Sequence, residues 1–147
     1  MKLRLHIATA VIALLTISCF WLSTVISELT GDHDLITTVK TGVLYGMAVL
    51  IPAMATAGAT GASLGKGWKL PQIARKSKRM KMIAANGLLI LLPSAVFLAL
   101  RAQAGQFDLW FYAIQGVELI AGATNITLLI LNVRDGRQMG QRRRARA

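Results

Sequence analysis

An all-α membrane protein is what this chain predicts: four transmembrane helices in an antiparallel up-down-up-down bundle, with both termini cytoplasmic. Three observations carry that expectation. Four apolar runs, each about twenty residues long, recur along 147 residues, and that is the helical length a bilayer core requires. Hydrophobic residues make up 54 % and mean hydropathy is +0.54, high for a water-soluble domain. The basic residues, which give a net charge of +11, are gathered between and after the runs rather than within them.

One domain is expected over residues 1–132, with crossings at about 5–27, 35–64, 82–100 and 107–131. The first follows Lys2 and Arg4 and reads LHIATAVIALLTISCFWLSTVI. That run is longer than a signal-peptide core, and no A-x-A pattern follows it. Thr16-Ile17-Ser18-Cys19 lacks the Leu three residues before the Cys that a lipoprotein cleavage box wants. An uncleaved helix is therefore expected. Cys19 is the single cysteine, so the chain holds neither an internal disulfide nor a Cys-based metal site. ELTGDHD (28–34) is a short acidic turn around Gly31.

The second crossing is rich in small residues. Gly42 and Gly46 form a GxxxG pair, and Ala53, Ala57 and Gly61 continue the spacing. Such residues let helix backbones approach where lipid supplies no hydrophobic drive to associate. Pro52 removes a backbone hydrogen bond and predicts a kink. Residues 65–81 form a basic cytoplasmic loop, in which Pro71 can open a short helix. Arg75, Lys76, Lys78 and Arg79 are expected to contact anionic lipid headgroups there.

The third crossing, MIAANGLLILLPSAVFLAL, contains Asn86, Pro93 and Ser94. The fourth opens on Phe107, Trp110, Phe111 and Tyr112, rings that favour the membrane–water boundary. Residues 133–147 read as a basic disordered tail.

Orientation follows from charge. Lys2 and Arg4, the seven basic residues of the loop and the six of the tail are 15 of the 17 in the chain, and a four-crossing path puts them on one side. Glu28, Asp32, Asp34 and Asp108 fall on the other. The positive-inside rule makes the basic side cytoplasmic, which points to a bacterial inner membrane. The short connections favour antiparallel neighbours. No 20- to 50-residue repeat is visible. The charge pattern is explained by topology and lipid, so nucleic acid is not an expected partner.

The fourth crossing also carries Gln115, Glu118, Gly122 and Asn125, at i, i+3, i+7 and i+10. That spacing sets them on one narrow helix face. An acid at this depth must face protein or water. Counting depth along each crossing places Tyr45 and Ser94 near Glu118, where both could hydrogen-bond its carboxyl, and matches Asn86 to Asn125. Lys40, nearer the outer end, could reach toward Gln115 or extend to the headgroups.

No nucleophile–base pair is present, and GATGASLGKG lacks the spacing of a phosphate loop. His6 and His33 fall on opposite sides of the membrane, so one chain cannot build a bis-imidazole haem site. No catalytic residue, metal site or cofactor is expected. The first functional expectation is a non-enzymatic accessory subunit of a membrane complex, or a homo-oligomer, with the lipid bilayer and other membrane proteins as partners. The alternative is a proton- or cation-coupled small transporter working through Glu118, with Tyr45, Gln115 and Asn125 lining the path. A membrane redox or haem-associated protein stands third.

Overall fold

A computed structural model of the chain describes residues 1–66 and 71–144. Lys69 of the basic loop and Arg146 of the tail lie outside them. Helix α1 (Lys2–Thr30) stops at Gly31, whose φ of 67° lies in the left-handed region that glycine enters without steric cost. Asp32 then caps α2 (His33–Gly65): its carboxylate accepts from the backbone N–H groups of Asp34 and Leu35 at 2.9 and 3.3 Å. A stop and a start one residue apart make the α1–α2 connection tight. Helix α2 runs on through Pro52, which lies on its exposed face.

Helix α3 (Pro71–Asn86) begins on Pro71, where a missing N–H costs nothing. A π-helical turn, Gly87–Leu91, leads into α4 (Leu92–Gln103). The wider turn precedes Pro93, which can neither donate to the carbonyl one turn back nor clear it with its ring. The expected third crossing is thus the apolar centre of a longer helical stretch, Pro71–Gln103.

Asp108 opens α5 (Leu109–Arg144) by accepting from the Phe111 N–H at 3.0 Å. That bond, with the Arg101 guanidinium beside it, holds the exposed Asp108 carboxyl below the usual carboxylate range. α5 passes the expected end of the crossing at 131 and stays helical through Arg144, where a disordered tail was expected. Two causes are visible. The segment RDGRQMGQRRR contains no proline and several good helix formers. Asp135 also accepts from Arg79 of α3 at 2.7 Å, which ties the extension to a neighbour.

Four helical stretches are long and apolar enough to cross a membrane: Lys2–Thr30, His33–Gly65, Pro71–Gln103 and Leu109–Gln138. Large apolar side chains such as Leu15, Leu89 and Ile120 point outward from them, as lipid-facing residues do. The chain is therefore a multi-pass membrane protein.

α1 packs most extensively on α2. Gly46 admits the Phe20 ring, Gly61 lies against His6, and Ala53 and Ala57 are buried. Gly42, the other half of the GxxxG pair, faces open space. The main core joins Ala13 and Ile17 of α1 to Val43, Met47 and Leu50 of α2, Leu91, and Ala121 and Leu129 of α5. A second cluster joins Ile36, Leu98, Ala102 and Phe111. Beside it His33 stacks on Phe107, with ring centres 4.0 Å apart, and Thr37 donates to the Ala102 carbonyl. The α1–α2 and α4–α5 connections therefore lie together at one end of the bundle, here the hairpin end.

The two glycines of one motif should separate cleanly in a melting experiment. A Cβ at position 46 collides with the Phe20 ring and one at 42 meets nothing. Gly46→Ala is expected to cost about 1–3 kcal/mol, the usual penalty of overpacking, and Gly42→Ala to leave thermal unfolding in detergent unchanged.

Candidate functional site

The inward face of α5 is a polar stripe. Gln115, Glu118, Gly122 and Asn125 are all buried, and Asn132 continues the line. Three helices meet this stripe at three levels.

At the level nearest the hairpin end, Lys40 of α2 donates to Glu118 Oε2 at 2.5 Å. Lys40 is 1 % exposed and Glu118 8 %. Gln115 Nε2 donates to the same oxygen at 3.1 Å, and the Lys40 ammonium also reaches Thr24 Oγ1 of α1 at 3.5 Å. The partner expected for Glu118 was Tyr45, and the structure corrects this. Tyr45 follows Lys40 by five residues, which is about 140° around a helix. Its ring is accordingly turned outward, 74 % exposed. Ser94 is buried on α4, but the hydrogen bonds Glu118 accepts come from Lys40 and Gln115.

Lys40 had a signal in the sequence. Ile36, Lys40, Val43, Met47 and Leu50 share one heptad-like face, and the other four are core residues. A basic residue in such a line is carried inward with it. Glu118 meets it because Cα–Cβ bonds tilt toward a helix N-terminus. On α5 that tilt points to the hairpin end, and it brings the carboxylate toward Lys40.

The middle level joins α3 to α5. Asn86 Nδ2 donates to Asn125 Oδ1 and to the Ala121 carbonyl, both at 2.8 Å. Asn125 Nδ2 donates in turn to the Ile83 carbonyl at 3.3 Å. Each amide thus bonds the opposite backbone as well as its counterpart, the pairing that equal depth suggested. The π-helical turn starts directly after Asn86.

The third level holds Arg79, Asp135, Lys76, His6 and Asn132. Of the four residues expected at lipid headgroups, Arg75 and Lys78 are exposed. Arg79 turns inward to Asp135, and Lys76 lies against Gly136. His6 is held by its Nδ1, 3.0 Å from the Ala57 carbonyl and 3.2 Å from Thr60 Oγ1. Both side-chain polar atoms of Asn132 are buried without a partner.

Gly122, between the first two levels, makes room for Trp21 of α1, whose Nε1 donates to the Leu119 carbonyl at 2.9 Å. Next to Glu118 is a cavity of about 30 Å3, bordered by Phe20, Trp21, Thr24, Met47 and Gly122. That is room for about one water molecule. Among the described residues no three His, Cys, Asp or Glu side chains gather in a way that could hold a metal ion.

The fold and this stripe define a class: a multi-pass membrane protein built around an intramembrane ion pair. No family model, curated protein or solved structure matches the chain.

Breaking the pair on one side should cost more than removing it. Lys40→Met alone leaves the buried Glu118 carboxylate without its partner, a loss of roughly 3–5 kcal/mol, and Glu118→Leu alone strips Lys40 of its closest acceptor. The double variant leaves neither group and is expected to recover most of that stability. Thermal unfolding of the four proteins in one detergent measures the coupling.

Proposed function

We propose that the protein is a non-enzymatic, multi-pass subunit of the bacterial inner membrane, engaged laterally by another membrane protein or by a second copy of itself. The helices alternate in direction, and the hairpin end faces outward. The positive-inside rule supports this placement, since 15 of the 17 basic residues belong to the other end. The two exceptions, Lys40 and Arg101, are both neutralised locally, by Glu118 and by Asp108. Arg75 and Lys78 remain free to meet anionic headgroups on the cytoplasmic side.

The observation that carries the lateral role is Tyr45. Its ring stands on the lipid side of α2, its hydroxyl has no partner among the described residues, and Gly42 beside it is open. A hydroxyl at hydrocarbon depth gains from a partner helix that can hydrogen-bond it, and a glycine one turn away lets that helix come close. Gly46, Ala57 and Gly61 are already used against α1, which leaves the outward face of α2 for a partner.

The second reading, proton- or cation-coupled transport through Glu118, is favoured by the acid and its water-sized cavity. Tyr45 faces away from that cavity, so a path on this reading uses Gln115 and Glu118 without it. The redox reading has little to draw on, because His6 and His33 are separated by the length of α1.

Gly42→Leu tests the lateral role without touching the bundle's interior. The wild-type chain is expected to co-purify with a partner, or cross-link to itself, in mild detergent. Gly42→Leu should abolish that association, and Tyr45→Phe should weaken it, with the monomer's melting temperature unchanged. Association that survives both changes rejects this face as the contact.

A further inference from the structure

One turn nearer the hairpin end than the Lys40–Glu118 pair, the bundle holds an acid that the pair does not use. Thr24 of α1 and Glu118 of α5 both reach the Lys40 ammonium. Glu28 follows Thr24 by four residues, and Gln115 precedes Glu118 by three. Each therefore sits on the same face as its neighbour, one turn closer to the hairpin end. The N-terminus of α1 is at the opposite end, so the Cα–Cβ tilt leans Glu28 back into the bundle.

The oxygens of this layer are short of donors. Glu28 Oε1 is buried with no hydrogen-bond partner, and so is Oε1 of Gln115, a residue only 3 % exposed. The charges that face Glu28 are Lys40 and His33 from α2 and Glu118 from α5. On its own helix Ser27 donates to the Thr24 carbonyl and Thr30 to the Ser27 carbonyl, which leaves neither hydroxyl for Glu28. From α4, Arg101 is engaged by Asp108 and Gln106. Apart from the His33 ring, which stacks on Phe107, two carboxyls face one ammonium, an excess of negative charge where burial makes it costly. A metal cation would have to settle beside the ammonium of Lys40. A proton on Glu28 cancels the excess charge and converts an acceptor into a donor, which is what the orphaned Gln115 oxygen lacks.

We propose that Glu28 is a proton-binding site reached from the hairpin end, where its carboxylic O–H donates toward Gln115 Oε1 while Lys40 stays with Glu118. Hydronium delivers the proton and leaves as water; no other bond changes. Glu28 is half-buried, which leaves it a route to solvent. Release of the proton produces a second carboxylate that competes with Glu118 for Lys40, so the packing of α1 and α2 against α5 responds to pH on that side. This inference goes beyond the lateral role and does not depend on it.

Infrared difference spectroscopy of the full chain in lipid nanodiscs, stepped through pH, tests it by the C=O stretch of a protonated carboxylic acid. Wild type should show that band at neutral pH and lose it as pH rises. Glu28→Gln should lack the band. Glu118→Gln should lack it at neutral pH too, although Glu28 is present, because Lys40 then pairs with Glu28. A band that survives in Glu28→Gln overturns the proposal, as does a wild type with no such band at any pH. A sodium titration at fixed pH that removes the band and raises the melting temperature would show a metal-cation site and overturn it as well. If Glu28→Gln fails to fold, Glu28→Asp decides the question: its C=O band should move in frequency, and a band that stays at the wild-type position overturns the proposal.

Discussion

A lysine and a glutamate that enter hydrocarbon on separate helices have no water to share, and each alone costs several kcal/mol. The cheapest arrangement is for them to find each other. In this chain Lys40 and Glu118 do so at 2.5 Å, and much of the bundle follows from it. With Lys40 inward, α2 must present Ile36, Val43, Met47 and Leu50 on the same side, and Tyr45 must point out. With Glu118 inward, α5 must present Phe111, Gln115, Gly122, Asn125 and Leu129. One contact thus sets the rotation of two helices. Apolar packing alone specifies rotation weakly in lipid, since the outside is as oily as the inside.

Rotation being set, closeness comes from small residues and from backbone bonds. α1 reaches α2 because Gly46 yields to Phe20 and Gly61 to His6. It reaches α5 because Gly122 yields to Trp21, which hydrogen-bonds the Leu119 carbonyl. α3 reaches α5 through two asparagines that each bond the other's helix backbone. These are interactions that helices in lipid can use, because the polar atoms are satisfied by protein where water is absent.

The crossings and the polar face of α5 were legible in the sequence because both are local patterns: hydropathy over about twenty residues, and spacing of three and four on one helix. The match of Asn86 with Asn125 was legible because depth can be counted. The partner of Glu118 was not found by the same count, because depth is only one of two coordinates. Tyr45 and Lys40 lie within two turns of each other in depth and face different sides of α2. Reading the heptad-like face through Ile36 and Val43 would have separated them. The helix beyond residue 132 was illegible for another reason. Its proline-free sequence only permits a helix, and the contact that ties it down, Arg79 to Asp135 more than fifty residues later, is announced by no local pattern.

The spacing of the polar levels bears on what the bundle can transmit. Glu118, Asn125 and Asn132 follow one another at seven residues, about 10 Å of helix. The intervals between them are lined mostly by carbon: Leu50 and Leu91 border the small cavity beside Glu118, Ala121 lies above the asparagine pair, and Ile83 and Leu129 lie around and below it. The cavity beside Glu118 has room for about one water, not for a file of them. A proton travels along hydrogen-bonded chains, and two apolar gaps of this length interrupt any such chain along the stripe. In this conformation, charge exchanged near the hairpin end stays there. What can pass through the gaps is movement, because Lys40 is fixed to α2 and Glu118 to α5, and a change in how tightly they hold each other changes how those two helices pack. A bundle built this way favours the proposed lateral role over carriage of a solute through its centre.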